Sequence, residues 1–408
     1  MTAPMKKDRV TDERARMARG PRTIAEPGEA RALKALVEGS AHILPQARRG
    51  RGVAQNESGR FEAEKRVRID DGWTGTDGPE ALATTITRDM SRSVIARNNS
   101  PDLNFDRSIN PYRGCEHGCT YCYARPSHAF LGLSPGLDFE SQIFIKPDAA
   151  QLLKKELGAK SYKPRTLALG TNTDPYQPVE KRFEITRAIL EVLNDHNHPV
   201  AIVTKSALVA RDADILGDMA ARNLAKVALS ITTLDRALAR SMEPRAATPA
   251  KRLAAVTALS EAGVPVHVMT SPVIPGLNDM ELEALLTAAA GAGAQSASYI
   301  LLRLPLEVRD LFRDWLEEAV PDRADKIMSL IRQMRDGKDY DARFFERMKG
   351  SGPYADLIAR RFRLAARRAG LDLSAPPLRT DLFVSPRAPS SQLTLFGEEE
   401  TRPNALRA

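Results

Sequence analysis

The chain alternates between two hydrophobic patterns from about residue 103 to residue 305. Short apolar or β-branched runs predict buried strands, and apolar residues three and four positions apart predict helices packed on them. Strands that alternate with helices of this length indicate βαβ units and a parallel sheet. The predicted strands are 105–109, 166–169, 200–204, 227–232, 266–270 and 297–302, and the predicted helices are 183–193, 212–221, 249–262 and 279–290.

Polar residues follow the predicted strands at their carboxyl ends. A polar loop at 170–178 follows the second strand, Lys205 the third, the loop 271–279 the fifth, and Arg303 ends the sixth. The carboxyl ends of barrel strands carry the chemistry in parallel barrels. We therefore expect one functional face, although the alternation alone is equally compatible with a doubly wound sheet.

The composition adds two constraints. With 408 residues, 42% of them hydrophobic, the chain can bury one large domain plus extensions, or two domains. Lysine and arginine number 60 against 52 aspartates and glutamates, and the net charge of +8 favours a polyanionic partner such as nucleic acid. We expect no signal peptide and no membrane span, because the first ten residues are polar and no run of about 18 apolar residues occurs.

All three cysteines lie in one short run, at Cys115, Cys119 and Cys122. Iron–sulfur clusters are held by cysteine thiolates, and three thiolates on one cube leave the fourth iron without a protein ligand. An open coordination position allows a metal to do chemistry. Gly114 and Gly118 tolerate the left-handed backbone that a loop needs to wrap closely around an inorganic core. The run therefore predicts a reactive cluster.

Three other interpretations of the cysteine run stay open. A zinc site would need a fourth ligand, for which His117 and His128 are the candidates. A disulfide plus a free thiol is typical of secreted proteins. Three buried structural cysteines are the third possibility. Because every cysteine belongs to one motif, we expect a reducing cytoplasm.

The spacing CxxxC-x-aromatic-C, with Tyr121 as the aromatic residue, resembles the radical S-adenosylmethionine (SAM) superfamily. The resemblance implies an incomplete (β/α)6 barrel, a [4Fe-4S] cluster and SAM as cofactors. It also implies that a reduced cluster passes an electron to SAM and yields a 5′-deoxyadenosyl radical. An electron donor such as flavodoxin or ferredoxin is then a partner.

A narrower resemblance covers roughly residues 102–371. The segments Asn-Pro-Tyr-Arg-Gly-Cys at 110–115, Cys-Tyr-Ala-Arg at 122–125 and Thr-Asp-Pro-Tyr-Gln-Pro at 173–178, with Glu180, are similar to the branch that contains spore photoproduct lyase and DNA repair photolyase-like proteins. Within it the chain is most similar to an uncharacterised family. The resemblance supports membership of this branch but supplies no activity for that family; a lyase-like reaction in DNA repair is the expectation taken from the branch as a whole.

The resemblance also implies roles for residues outside the cysteine run. Spore photoproduct lyase uses a further cysteine as a hydrogen-atom donor, which this chain lacks, so either a tyrosine such as Tyr176 or Tyr299 takes that role or the reaction differs. Each remaining position could equally be an ordinary loop cap. The implied SAM contacts are Tyr121 at the adenine, Thr171 and Asp174 at the amino end, Lys205, Ser206, Ser230 and Thr232 at the ribose or carboxylate, and Pro272 to Asn278 at the adenine cradle.

The flanking regions differ from the barrel in composition. We expect a basic, largely disordered extension over 1–101, the barrel over 102–305, a helical extension over 306–373 and a disordered tail over 374–408. The segment Arg-Arg-Gly-Arg-Gly at 48–52 is either a solvated linker or an arm that contacts nucleic acid.

The last predicted helix has an apolar and a basic face. At 100° per residue, one face carries Ile358, Phe362 and Ala365, and the opposite face carries Arg360, Arg363 and Arg367. The basic face is either a solvated surface or a contact surface for DNA phosphates.

The tail contains a short apolar patch in polar surroundings, formed by Gln392, Leu393, Leu395 and Phe396. A flexible segment can insert such residues into a groove of a partner. The patch resembles the peptides with which bacterial repair proteins dock on the DNA polymerase sliding clamp; a tail that packs on its own domain is the alternative.

Two functions therefore stand beside each other. The first is a radical SAM enzyme that acts on nucleic acid, favoured by the basic helix, the basic arm and the tail. The second is a radical SAM enzyme that acts on a small molecule or a protein. A non-catalytic DNA-binding protein with a structural cluster is a third.

Overall fold

The strand order of the main sheet decides between the two architectures that the alternation left open. In the computed structural model, which describes residues 48–62, 82–371 and 377–386, the main sheet runs β10–β9–β8–β7–β6–β3–β2 and all neighbours from β3 to β10 are parallel. Parallel strands in chain order form an open, singly wound barrel, whereas a doubly wound sheet reverses direction. The partial (β/α)6 barrel is confirmed. The strands are β1 Thr85–Arg88, β2 Ile95–Arg97, β3 Arg107–Ile109, β4 Tyr112–Arg113, β5 Gln142–Ile145, β6 Leu167–Leu169, β7 Val200–Thr204, β8 Ala225–Ser230, β9 Val266–Val273 and β10 Ser296–Leu301.

Helices cover the outer face of this sheet. Val200 and Ile202 of β7 are buried in the core that these helices share, whereas Ala201 and Val203 are half-buried, so side chains alternate between the two faces of the strand. No helix in the described ranges is long and apolar enough to span a bilayer. The helices are α1 Asp138–Ser141, α2 Ala149–Leu157, α3 Glu180–Phe183, α4 Ile185–Asp195, α5 Ala213–Ala221, α6 Arg236–Met242, α7 Pro249–Glu261, α8 Leu282–Gly291, α9 Val308–Ala319, α10 Pro321–Gln333 and α11 Pro353–Arg368.

Part of the N-terminal extension is folded, which differs from the expectation of disorder over 1–101. β1 joins β5 and β4 in a small second sheet, and β2 pairs antiparallel with β3. Arg51 is only 7% exposed, and Arg48 pairs with Glu318 at 2.5 Å, so neither belongs to a solvated linker or to a free basic arm. Composition did not reveal this because the partners of both arginines lie far away in the sequence. Residues 1–47 and 63–81 lie outside the described ranges.

The C-terminal extension is helical, as expected, and α11 has the predicted two faces. Ile358, Phe362 and Ala365 are buried against α8 and β10, whereas the row of arginines faces solvent. Arg361, between the two faces, pairs with Glu283 of α8 at 2.7 Å. The exposed row consists of Arg360, Arg363 and Arg367.

The first described part of the tail packs on the end of the barrel opposite to the cysteines. The Phe383 ring centroid lies 5.6 Å from that of Tyr162 and 5.3 Å from that of His198, and the Val384 amide donates to the His196 carbonyl at 2.9 Å. Disorder from residue 374 onward is therefore wrong for 377–386. The apolar patch at 392–396 lies outside the described residues.

Candidate active site

The cysteine loop follows β4 at the carboxyl end of the barrel. Gly114 and Gly118 have φ values of +78° and +68°, so the predicted left-handed positions are confirmed. The Cys115 amide donates to the Phe139 carbonyl at 2.9 Å, and the Thr120 amide donates to the Met242 carbonyl at 3.0 Å. The loop is therefore fixed by backbone hydrogen bonds to two segments that are distant in the sequence.

The loop after β6 holds the start of the cysteine loop. The hydroxyl of Thr173 donates to the Gly114 carbonyl at 2.6 Å, and the Gln177 amide group donates to the same carbonyl at 3.1 Å. The Gln177 side-chain oxygen accepts from the Glu116 amide at 2.9 Å. Gln177 is fully buried, so a change of its side chain leaves the Glu116 amide without this acceptor, while the Gly114 carbonyl keeps its hydrogen bond from Thr173.

Asp174 joins three of the loops at this face. Its carboxylate accepts from the Thr204 hydroxyl at 2.7 Å and from the Lys205 amide at 2.8 Å, and His117 Nδ1 lies 3.3 Å away. Burial by itself raises the pKa of Asp174, but His117 and the hydrogen bonds outweigh it and hold the pKa at about 2. Asp174 is ionised at neutral pH. Thr171, in the same loop, accepts from the hydroxyl of Tyr123 through its carbonyl, at 2.5 Å.

A buried ion pair that the sequence did not reveal supports Tyr121. Glu243 accepts hydrogen bonds from the Tyr121 hydroxyl and the Arg252 guanidinium, and from the Thr232 hydroxyl at 3.0 Å. Arg252 is 1% exposed and also donates to the Ser230 carbonyl at 2.9 Å. Glu243 and Arg252 lack a recognisable motif, because a buried pair is defined by partners that only the fold brings together.

Lys205 lies above the ring of Tyr121, with its Nζ 5.7 Å from the centroid. Burial lowers the pKa of Lys205, but the neighbouring Cys119 and Glu243 outweigh burial and raise it. The lysine is therefore a cation beside the cysteines. Ser206 next to it caps a turn, because its side-chain oxygen accepts from the Leu208 amide at 3.2 Å.

The loops after β8 and β9 brace each other. The Asn278 side chain donates to the Thr232 carbonyl at 2.7 Å and to the Pro272 carbonyl at 3.0 Å, and accepts from the Ile274 amide at 2.7 Å. The Ser230 hydroxyl donates to the Ser271 carbonyl at 2.9 Å. The residues from Pro272 to Asn278, predicted to contact the adenine, thus lie together at the barrel mouth. The hydrogen bonds of the Asn278 side chain fix the conformation of their loop.

The structure does not place either tyrosine proposed as a hydrogen-atom donor beside the cysteines. Tyr176 is fully buried in the main core, with the Arg211 guanidinium 6.0 Å from its ring centroid. Tyr299 lies on the outer face of β10, where its ring packs 4.8 Å from that of Phe362. Neither ring lies where the prediction requires, because Tyr176 belongs to the buried loop after β6 and the alternation along β10 did not fix which face Tyr299 takes.

The cysteines fit a cluster in the chemistry of their side chains. Burial raises the pKa of the Cys115 thiol well above its usual value, as do Asp174 and the other two thiols; burial also raises the pKa of Cys119. Ligation needs thiolates, and the positive charge of bound iron, beside that of Lys205, would favour them here. No three Cys, His, Asp or Glu side chains of the described ranges converge on one ion. A cubane requires no such convergence, because each thiolate binds a different iron.

Neither histidine considered as a zinc ligand is directed at the thiols. His117 pairs with Asp174. His128 is fully buried, contacts the Gln142 carbonyl at 3.1 Å and packs edge-on against Phe139, 5.4 Å between centroids. Burial lowers the pKa of His128 to about 4. Its role is therefore one of packing beneath the loop.

A second buried ion pair supports the cysteine loop from the other side. Arg125 and Glu140 are both 0% exposed and meet at 2.5 Å, and Arg125 Nε donates to the Cys119 carbonyl at 2.9 Å. The amide of Gly52 donates to the Glu140 carboxylate at 2.8 Å. A Cβ atom at Gly52 would lie 1.7 Å from the carbonyl oxygen of Gly118, so only glycine allows this contact. The N-terminal segment around Gly52 thus packs directly on the cysteine loop.

Comparison with known proteins identifies the family. The family model of the Radical SAM superfamily matches residues 109–289. An uncharacterized protein of Mycobacterium tuberculosis is 39% identical over 237 residues, which is 58% of this chain and 70% of that protein. An uncharacterized protein of Methanocaldococcus jannaschii is 33% identical over 174 residues, 42% of this chain and 62% of that protein. The chain belongs to the radical SAM superfamily, whose enzymes use a [4Fe-4S] cluster and SAM.

Solved structures are similar at much lower identity. Spore photoproduct lyase complexed with dinucleoside spore photoproduct has a TM-score of 0.47 at 15% identity, over 70% of this chain and 78% of that chain. SuiB of Streptococcus suis bound to S-adenosylmethionine has a TM-score of 0.37 at 16% identity, over 53% of this chain and 47% of that chain. At these identities and TM-scores the similarity does not extend to a substrate.

Proposed function

We propose that Cys115, Cys119 and Cys122 hold the [4Fe-4S] cluster and that the enzyme acts on nucleic acid in DNA repair. The main support for this site is the position of the three cysteines in a buried loop at the strand ends. Hydrogen bonds from the loops after β6 and α6 hold this loop in place. When bound, the cluster supplies the electron that cleaves SAM. A flavodoxin or ferredoxin serves as the electron donor.

The residues around the cysteines suit the two ends of SAM. Lys205 offers a cation to the carboxylate, since no carboxylate in the described ranges forms a hydrogen bond with its Nζ. Tyr121, held by Glu243, presents its ring for the adenine. Thr171 and Asp174 line the amino end, and Asp174 remains ionised to meet a positive charge there. Ser230, Thr232, Pro272 and Asn278 form the wall beside the ribose and adenine.

Charge supports nucleic acid as the substrate. The chain carries a net charge of +8, and the arginine row of α11 is exposed. Exposed arginines that are free to meet phosphates supply affinity that weakens as salt rises. A lyase reaction on damaged DNA, similar to that of spore photoproduct lyase, is the form of repair that the sequence resemblance favours.

The experiment is anaerobic. The protein is reconstituted with iron and sulfide, reduced with dithionite, and supplied with SAM, and 5′-deoxyadenosine is measured with and without UV-irradiated DNA. We expect 5′-deoxyadenosine to form and damaged DNA to stimulate it. A Cys119→Ala variant that folds should form none.

Two results would contradict the proposal. A fully loaded protein that forms no 5′-deoxyadenosine, even with DNA, would point to a structural cluster. Formation that is indifferent to DNA, together with unchanged DNA binding in a variant with all three exposed α11 arginines replaced by alanine, would favour a small-molecule or protein substrate. The variant changes Arg360, Arg363 and Arg367.

A further inference from the structure

Large aromatic side chains are exposed beside the cysteine loop. Tyr123, which follows the last cysteine, is 47% exposed, and Phe344 and Phe345 are 49% and 58% exposed. Clusters of exposed apolar side chains on a soluble domain mark binding surfaces. We call Tyr123, Phe344 and Phe345, together with Arg303 and Arg347, the mouth rim.

The fold brings the members of the mouth rim together from three segments. Arg303 lies at the end of β10 with its guanidinium 4.9 Å from the Tyr123 ring centroid. Arg347 lies with its guanidinium 4.9 Å from the Phe344 ring centroid. The Leu301 amide donates to the Met348 carbonyl at 2.9 Å, which ties the 344–348 segment to β10.

Among the described residues, Arg303 differs from its neighbour Arg347 in having no anionic partner. Arg347 is held by Asp102 at 2.5 Å. No carboxylate of the described ranges pairs with Arg303, and its buried Nε lacks any hydrogen-bond acceptor. The guanidinium of Arg303 thus has a buried N–H without an acceptor, and it contacts a half-exposed aromatic ring. Such a pair of side chains can bind a ligand that carries both an anionic group and a planar ring.

We propose that the mouth rim binds an unpaired nucleotide of single-stranded DNA, with Arg303 on a phosphate and Tyr123 stacked on the base. This inference rests on the proposed function, because it names the form in which nucleic acid reaches the cysteine site. Aromatic rings combined with arginines along a basic groove are the elements that bind single strands without sequence preference. A base inside a duplex is stacked on both faces, so only an unpaired or extruded base reaches Tyr123.

The test uses the reconstituted enzyme and a fluorescein-labelled oligothymidylate, with affinity measured by anisotropy at several salt concentrations. Tyr123→Ala should weaken binding by about 5- to 150-fold, the range for loss of one base–aromatic stack. Tyr123→Phe keeps the ring and should change affinity by less than about twofold. Arg303→Ala should reduce the slope of log affinity against log salt by about 0.7, the value for one lost phosphate contact on a single strand.

The matched control is Arg165→Ala. Arg165 precedes β6 at the opposite end of the barrel and is exposed, so its loss removes the same charge without touching the rim. It should leave both the affinity and the salt slope unchanged. Iron content is measured for each variant, so that loss of the cluster is distinguished from loss of binding.

Three results would overturn the inference. The first is an Arg303→Ala variant that binds the oligonucleotide with the native salt slope but binds SAM more weakly, which would assign Arg303 to the carboxylate of SAM. The second is native affinity in Tyr123→Ala. The third is tighter binding of oligouridylate RNA than of the DNA. Native protein that binds the oligonucleotide but forms no 5′-deoxyadenosine would instead contradict the proposed function and leave the mouth rim in place.

Discussion

Glutamine at position 140 would test whether the buried ion pair beneath the cysteine loop stabilises the protein. Glu140 is 0% exposed and accepts from Arg125 at 2.5 Å, from the Gly52 amide at 2.8 Å and from the Val53 amide at 3.3 Å. In Glu140→Gln the shape is kept, but the negative charge is lost and the new amide NH2 faces one of these donors. Arg125 then remains buried without its counter-charge.

The size of the effect follows from this burial. Removing one partner of a buried ion pair costs about 3–5 kcal/mol. Unfolding entropy is about 2.1 cal/mol/K per residue, so for roughly 300 described residues a loss of this size lowers the melting temperature by about 5–8 °C. Because Arg125 also donates to the Cys119 carbonyl at 2.9 Å, we expect faster loss of iron to a chelator as well.

The assay is thermal unfolding by circular dichroism under anaerobic conditions, with Glu283→Gln as the control. Glu283 pairs with Arg361 at 2.7 Å, but its side chain is 46% exposed, so its loss should cost less than about 1 kcal/mol. Glu140→Asp, which keeps the charge, should recover part of the stability. An equal fall in melting temperature for Glu140→Gln and Glu283→Gln would refute the reasoning.

Three further predictions concern Gly52, His198 and the apolar patch of the tail. Gly52→Ala places a Cβ 1.7 Å from the Gly118 carbonyl oxygen and should speed tryptic cleavage around residue 52. The control Gly291→Ala, where an added Cβ meets no atom within 4 Å, should leave the cleavage rate unchanged. Equal cleavage rates in the two variants would contradict the close packing of residue 52 on the cysteine loop. Burial lowers the pKa of His198 from 6.5 to about 4, so the unfolded chain takes up a proton below pH 6.5 while the native protein does not, and stability falls by about 3 kcal/mol between pH 6.5 and pH 4. His198→Gln should show a smaller fall in urea midpoint over that range, and an unchanged fall would contradict the assignment. Deletion of residues 392–396 should abolish binding to a bacterial sliding clamp in surface plasmon resonance, and retained binding would exclude docking through this patch.

Local patterns in the sequence predicted the alternation of strands and helices and the candidate cluster ligands. Runs of period two and period 3.6 are set by backbone geometry, so the six barrel strands and four of the helices between them could be predicted to within a few residues, whereas helices such as α2 and α6 were not predicted. The three cysteines and Gly114 and Gly118 lie within nine residues of one another in the sequence, so their chemistry could be proposed without knowledge of the fold. The polar residues at strand ends could likewise be assigned to one face, and contacts such as that between Asp174 and Thr204 join their loops there.

The tertiary structure alone decided which charges are buried and which way the tyrosines point. Tyr121 and its acceptor Glu243 are 122 positions apart, and Arg51 lies 89 positions from the Glu140 carbonyl that holds it. A charged side chain can be buried only where the fold supplies a partner. The amino-acid composition gives the number of charged residues but does not show which of them will have such a partner. Tyr299 packs on the outer face of β10 because Phe362 of α11 lies there. Both faces of such a sheet accept apolar side chains, so the sequence of the strand alone does not decide between them.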